Sequence, residues 1–591
     1  MVKKNIVWVI ILFSLSLVIA IRWMGVSGEN YRSIITSDGR GYYQYFVSVL
    51  GDAPISEQAS NGTYLVETPE GKVVNKYFVG LPILWTPFVM PVYFYHKVFD
   101  DAAIDLYSEG FQKAISLSAL FYLLLGLFAL KKLLESFDIE RKVVGFSLLA
   151  FFFGTNLSYY AIIAPSMSHV YSFALISAFL YYVRIYSKNQ LARHLIYSAI
   201  ILGLIILLRP VNALIIFAIP LVWKSDINFI KTIRSQMDLL GAGVFLFVMI
   251  IAIQPIFWYL QTGSIIQWSY AGEGFYFTHP QMLNFILSFR KGFMIYSPIL
   301  GLSIISLFFI FKQNRKRALY SLGFILLLIY TLSSWWNWYY GDSYGSRALI
   351  DYYPVFILLF ALGLQYVNKN SRLWIVSLSL LFVAFNVFQS YQYYHNIMSH
   401  FDMNKEKYLN ILFKSGEEYE NRLGGNDDIA PYHTEPMTKV YDQSGYGSFD
   451  STYHAFFRQD GNVIINGESV DCFIVDKSPY VGSIMIDADK LMKYRVLYAE
   501  LQCSTYSEEE KLSDVFWTVS VNNTSDKLHY YAFRINGIPI LKYKWRIDKY
   551  RFPIPAPKNL DTKIQISIWN KGLRSFYLKD VSLKLYGISD N

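Results

Sequence analysis

From about residue 5 to residue 395 the chain is a succession of apolar runs separated by short polar connectors, and this pattern constrains its fold more than any other feature. A helix needs roughly 20 apolar residues to cross the hydrocarbon of a bilayer, because each backbone amide there must be satisfied within the segment. Such runs fall at 5–24, 113–130, 143–162, 167–186, 195–208, 211–223, 238–258, 292–311, 318–334, 350–367 and 373–391. They predict an α-helical polytopic membrane bundle of about eleven transmembrane helices. Only 16% of the residues are charged, against about a quarter in a soluble chain, and the deficit is confined to this region. The remainder reads as soluble sequence, so the expected organisation is a transmembrane domain at 1–398, a linker at 399–437 and a separate domain at 438–591.

The basic connectors set the expected direction of the bundle. Lys3 and Lys4, Lys131 to Lys142, Arg184 to Arg193, Lys224 to Arg234, Lys312 to Arg317, and Lys369 to Arg372 all fall on one side if there are eleven crossings. Cytoplasmic loops carry the excess of Lys and Arg, so that side is the cytoplasm, and the C-terminal domain lies outside. The run 81–99 is left out of the count. As a twelfth crossing it would reverse every later connector, and its Pro82, Pro87 and Pro91 suit a bent interfacial or re-entrant segment. No small-x-small cleavage site follows the first run, so it is read as a retained helix. The formal charge of +9 is spread through these connectors, which argues for topology and against a nucleic-acid partner.

Beyond the linker, 461–466, 515–521, 563–569 and 576–586 alternate apolar and polar residues with turn residues between them. Period-two alternation predicts an antiparallel all-β sandwich, of the jelly-roll kind. The chain's two cysteines, Cys472 and Cys503, are both here. A disulfide and a pair of buried thiols are both open readings.

Four segments share the expected outer side: 25–79, 259–291, 334–349 and the tail. The first contains Thr36-Ser-Asp-Gly-Arg-Gly-Tyr-Tyr-Gln-Tyr45, in which Asp38 is a candidate base held near the interface by the amphipathic stretch that follows. Its plainer role is to cap that helix. Lys76 is either a snorkelling cation or a phosphate ligand. His169 and Arg209 are polar residues within apolar sequence, where they are costly and so informative. An interhelical hydrogen bond is the plain role for His169, and Arg209 is expected at the outer turn of a helical hairpin. The segment Ser334-Trp-Trp-Asn-Trp-Tyr-Tyr-Gly-Asp-Ser-Tyr-Gly-Ser-Arg347 is partly an aromatic belt. A belt does not require Asp342 or Arg347, and a guanidinium at a helix mouth suits phosphate oxygens. Glu273, Arg290 and Lys291 add charges on the same side. No Walker loop, His-Glu-x-x-His motif, nucleophile elbow or Asp-x-Asp pair in the first loop is present.

Asp38 with Gly41, Tyr42 and Tyr43, followed by Lys76-Tyr77 and the proline-containing 81–85 stretch, resembles the GT-C superfamily of polyprenyl-phosphate-dependent glycosyltransferases. The pattern is similar to its protein O-mannosyltransferase and aminoarabinose-transferase branch and covers roughly the first 390 residues. The resemblance implies an inverting transfer of a sugar from a polyprenyl-phosphate donor to an acceptor hydroxyl on a protein, glycan or lipid. It implies Asp38 as the base, Arg347, Lys76 and Arg209 as donor-phosphate ligands, and Tyr42, Tyr43, Tyr77, His169, Glu273 and Asp342 as substrate-binding residues. The chain departs from the pattern in having no clear second acid beside Lys76-Tyr77; Glu67, Glu70 and Glu273 are the substitutes. Without a paired acidic motif no metal or other cofactor is expected, although a divalent metal stays open. The expected location is the inner membrane of a bacterium. A lipid-linked glycan transporter and a non-catalytic envelope assembly protein are the alternative readings.

Overall fold

The computed structural model describes residues 6–26, 30–51, 54–57, 64–68, 70–99, 103–224, 229–270, 273–400, 403–420, 423, 438–443, 460–465, 468–475, 477, 479–487, 491–508, 515–522, 527–535, 543–554, 557 and 562–589. Lys3, Lys4 and part of the expected linker (401–402, 421–422 and 424–437) lie outside the described residues. The chain divides into two compact units: one comprises Met1–Leu287, Lys291–Tyr340 and Tyr344–Val387, the other Ser288–Arg290, Gly341–Ser343 and Phe388–Asn591.

The first unit is helical. Among the described residues, Ile6–Trp23, Glu109–Glu135, His169–Asn189, Met237–Thr262, Arg315–Ser333, Arg347–Tyr366 and Lys369–Tyr394 are long and apolar enough to cross a membrane. Ala192–Leu208, Pro210–Val222 and Ile299–Gln313 are shorter apolar helices. The chain is a multi-pass membrane protein. Its helices differ in what they face. Every side chain from Tyr353 to Leu364 is buried, as expected of a helix apolar all round at the centre of a bundle. Met237–Thr262 is just as apolar and mostly exposed, which suits contact with lipid.

Three helical expectations need amendment, the first being the run 292–311, which is divided into Phe293–Tyr296 and Ile299–Gln313. The run 143–162 is not one helix but two, Arg141–Gly154 and Leu157–Ile162. Thr155 between them is extended, and Asn156 turns its side chain to other segments. The proline-rich run is one helix, Gly80–Phe99, continuous through Pro87 and Pro91.

A small hairpin, β1 (Leu65–Glu67) with β2 (Val73–Asn75), delivers the segment that follows it to the helix Asp38–Leu50. Asn75 is the joint. Its buried side-chain amide donates to the Gly41 carbonyl at 2.8 Å and its Oδ1 accepts from the Tyr77 amide at 2.9 Å. The Tyr45 hydroxyl also donates to the Tyr77 carbonyl at 2.8 Å.

The second unit carries β3 (Thr438–Gln443), β4 (Asp460–Ile465), β5 (Glu468–Val475), β6 (Tyr480–Asp487), β7 (Tyr494–Tyr506), β8 (Val515–Asn522), β9 (Lys527–Arg534), β10 (Arg546–Ile554), β11 (Lys563–Asn570) and β12 (Phe576–Ser589). One antiparallel sheet has the order β10-β7-β12-β5-β4, with β3 also on β12; the other has the order β6-β11-β8-β9. Alternate residues of both, among them Leu501, Tyr550 and Leu583 with Trp517, Val519 and Ile566, form one apolar core. This is why their sequences alternate. Cys472 and Cys503 are free, buried thiols, so the disulfide reading falls away.

Candidate active site

Asp38 is the first residue of the helix Asp38–Leu50, and the residue before it, Ser37, has φ +50°. A side chain in that region is strained, a cost that functional sites often carry. The carboxylate does not cap its helix. Oδ1 accepts from the Tyr77 hydroxyl at 2.8 Å, and Oδ2 lies 2.9 Å from Arg347 Nη1. Gly41 makes the first contact possible. A Cβ there would fall 2.3 Å from the Tyr77 ring, so no larger residue allows Tyr77 to cross the helix.

Arg347 opens the short 3-10 helix Arg347–Tyr352, which continues into Tyr353–Tyr366. Gly345, with φ +60°, turns the chain into it, and a Cβ there would come 2.9 Å from that of Tyr296. The side chain of Asn156 fixes the same turn, donating to the Tyr344 carbonyl at 2.7 Å and accepting from the Tyr353 hydroxyl at 2.5 Å. Lys76, carried by the Asn75 joint, pairs with Glu273 at 2.5 Å and lies over the rings of Tyr77 and Tyr270. Glu67 and Glu70, the other substitutes for a second acid, are exposed on the hairpin.

A second polar cluster adjoins this one. Asp351 is fully buried, and its Oδ1 accepts from His169 Nδ1 at 2.8 Å. Oδ2 accepts from Arg209 Nη1 at 2.6 Å and from Asn212 Nδ2 at 2.8 Å. Tyr42 links the clusters. Its ring centroid is 4.6 Å from that of Tyr77, and it is close enough to Arg209 and Asp38 to feel both charges.

Asp38, Tyr42, Lys76, Tyr77, His169, Arg209, Glu273 and Arg347 are thus brought together. Two expected residues are not part of this arrangement. Tyr43 is a buried scaffold residue whose hydroxyl donates to the Leu106 carbonyl at 2.6 Å. Asp342 belongs to the second unit, where it accepts from Tyr393 at 3.0 Å and lies 3.5 Å from His400. Asp351 and Asn212 had escaped the sequence reading. The signal for Asp351 was present, since it is a carboxylate inside the apolar run 350–367.

Burial by itself raises the Asp38 carboxyl, but Arg347, the Tyr77 hydrogen bond and Lys76 together outweigh it, and the group sits below the ordinary value of 3.8. It is therefore an anion held by a cation. Burial pushes the Tyr42 hydroxyl up to about 12, and burial first, then the charge of Asp38, raises Tyr77 well above 10. Both remain donors at neutral pH. Among the described residues no group of three or more His, Cys, Asp or Glu side chains could hold a metal ion. The site offers the carboxylates of Asp38, Glu273 and Asp351, the cations of Lys76, Arg209 and Arg347, and several phenolic hydroxyls.

No family model and no curated protein matches the sequence. Among solved structures, the chain is similar to the archaeal oligosaccharyltransferase AglB from Archaeoglobus fulgidus in complex with an inhibitory peptide and a dolichol-phosphate. The TM-score is 0.38 at 11% identity, over 66% of this chain and 56% of that one. The oligosaccharyltransferase of the same organism in its apo form gives 0.37 at 12% identity, over 66% and 56% of the two chains. Its complex with Zn and sulfate gives 0.35 at 12%, over 65% and 52%. The chain spans little more than half the length of these proteins. A likeness of this degree carries no argument about activity, so the functional reading rests on the geometry above.

Proposed function

We propose that the protein is an inverting glycosyltransferase that moves a sugar from a polyprenyl-phosphate donor to an acceptor hydroxyl at the outer face of a bacterial inner membrane. The observation that carries this reading is the pairing of Asp38 with Arg347 in a site that also holds Lys76, Arg209 and phenolic hydroxyls. A carboxylate that can take a proton stands beside cations that can take a phosphate.

In the reaction the acceptor oxygen attacks the anomeric carbon from the face opposite the phosphate. The bond from that carbon to the phosphate oxygen breaks, and its electron pair leaves with polyprenyl phosphate. The hydroxyl proton passes to Asp38. Arg347 stabilises the charge that grows on the departing oxygen, with Lys76 and Arg209 in support. Arg347 has a second effect. While it holds Asp38 the carboxylate is a weak base, and a phosphate that draws the guanidinium away leaves Asp38 in a half-buried setting that favours the proton. Tyr77 keeps the carboxylate oriented, Tyr42 and Tyr270 offer ring faces to the sugar, and Glu273 sets the position of Lys76. These groups belong to the chain itself, and no step is assigned to a metal.

The test is the glycan profile of the host's envelope with Asp38→Asn as the sole copy of the protein. One glycan species is expected to disappear while the variant is produced and inserted like the wild type. An unchanged profile under those conditions would falsify the reading.

A further inference from the structure

Asp351 takes no part in the transfer just described, yet it is completely buried among membrane-spanning helices. A carboxylate there is costly unless donors satisfy it. It has three: His169, Arg209 and Asn212. Two of them come from one turn, since Arg209 is the extended residue between Ala192–Leu208 and Pro210–Ala218, and the Asn212 amide donates to its carbonyl at 2.9 Å. The third is a ring. Its Nδ1 lies 2.8 Å from Asp351 Oδ1 and 3.1 Å from Arg209 Nη1.

The consequence falls on Arg209. Its hydrogen bonds all use Nη1, and among the described residues Nη2 and Nε have no partner. Its side chain remains 17% exposed, whereas its counter-ion is not exposed at all. The hydroxyls of Tyr42, Tyr340 and Tyr270 are close enough to interact with its charge. One edge of the guanidinium is therefore fixed against a buried anion, and the rest of the planar fork makes no hydrogen bond among the described residues. That is a preorganised receptor for phosphate oxygens, because little side-chain freedom is left to lose on binding. A merely structural ion pair needs no such open edge and is often replaced by apolar residues without loss.

We infer that Asp351, with His169 and Asn212, is a positioning residue that holds Arg209 as the standing anchor for the phosphate of a lipid-linked ligand. The inference rests on the reading above that the site takes such a phosphate. It adds a division of labour in which Arg209 binds the phosphate first, while Arg347 joins only when it leaves Asp38.

The test is equilibrium binding of undecaprenyl phosphate to the full chain in nanodiscs, with inorganic phosphate and phosphatidylglycerol as the other probes. Arg209→Gln is expected to weaken undecaprenyl phosphate about tenfold or more, the effect of losing a charge-assisted hydrogen bond. Arg209→Lys, which keeps the charge but not the fork, should fall between that variant and the wild type. Asp351→Asn should weaken binding several-fold even in protein whose melting without ligand shows that it is folded. Competition by inorganic phosphate would assign the site to the phosphate group alone, and competition by phosphatidylglycerol to lipid phosphates in general; either agrees with the anchor. Wild-type binding by Arg209→Gln overturns it. The two readings fail separately. If Asp38→Asn abolishes the glycan while Arg209→Gln binds normally, the anchor falls and the transferase stands. If Arg209→Gln loses the lipid while Asp38→Asn leaves every glycan in place, the anchor stands and the transferase falls.

Discussion

The transmembrane unit holds two aspartate–arginine pairs that look alike on paper and differ in every property that matters. Asp38 and Arg347 meet at 2.9 Å with side chains 28% and 11% exposed. Asp351 and Arg209 meet at 2.6 Å, and that carboxylate is wholly buried. Asp38 has one further donor, the Tyr77 hydroxyl, whereas Asp351 has two more, the imidazole of His169 and the amide of Asn212. Water and ligands can reach the carboxylate of the first pair, whereas the carboxylate of the second is closed to them. The same two residue types thus give an exchangeable contact in one place and a fixed one in the other, and burial with donor count decides which.

The comparison breaks most visibly in stability. Asp351→Asn leaves Arg209 without its counter-ion inside the bundle, a change that costs about 3–5 kcal/mol for a buried pair. Asp38→Asn removes a partly exposed pair, worth about 0–1 kcal/mol. Thermal unfolding of both variants in one detergent checks the order, and equal losses would show that the two pairs are alike.

A pH profile of unfolding sharpens the contrast. Burial raises the Asp38 carboxyl, but Arg347 and Tyr77 bring it below 3.8, so the folded state favours the charged form. The stabilisation is complete above the ordinary carboxylate range and is lost as the pH falls through the lower folded value. Wild-type protein should therefore lose stability below about pH 4, and Asp38→Asn should lose less over the same range. Matching acid limbs would mean that the pair contributes nothing. The smallest effect is expected from Glu273→Gln. Lys76 and Glu273 are both partly exposed, so melting should change by a few tenths of a kcal/mol, with the consequence confined to donor binding.

Much of this molecule was legible in its sequence, because the signals involved are local. Apolar runs of membrane-spanning length gave away most of the helices, and period-two alternation gave away the two sheets. Asp38, Lys76, Tyr77, Glu273 and Arg347 stood out as charged or phenolic groups beside apolar segments, and they do meet. The failures are equally physical. The break at Thr155–Asn156 depends on a side chain that serves Tyr344 and Tyr353, partners that no local pattern reveals. Asn75 and Asn212 are uncharged amides whose importance lies wholly in what they touch. Asp342 is singled out because an aromatic belt does not require it, yet its carboxylate accepts from the Tyr393 hydroxyl in the second unit. Asp351 was the avoidable omission, for a carboxylate in an apolar run calls for a partner.

The central claim is that Asp38 is a base whose strength depends on a phosphate competing for Arg347. It is tested most directly by measuring undecaprenyl phosphate affinity and glycan transfer on wild-type and Asp38→Asn membranes prepared together. Without the carboxylate, Arg347 is free for the phosphate, so the variant should bind the lipid as tightly as the wild type or several-fold more tightly. Its transfer should fall about 10²–10⁴-fold with the loss of the base. A variant that transfers at the wild-type rate, or that loses lipid binding together with transfer while remaining folded, would contradict the account.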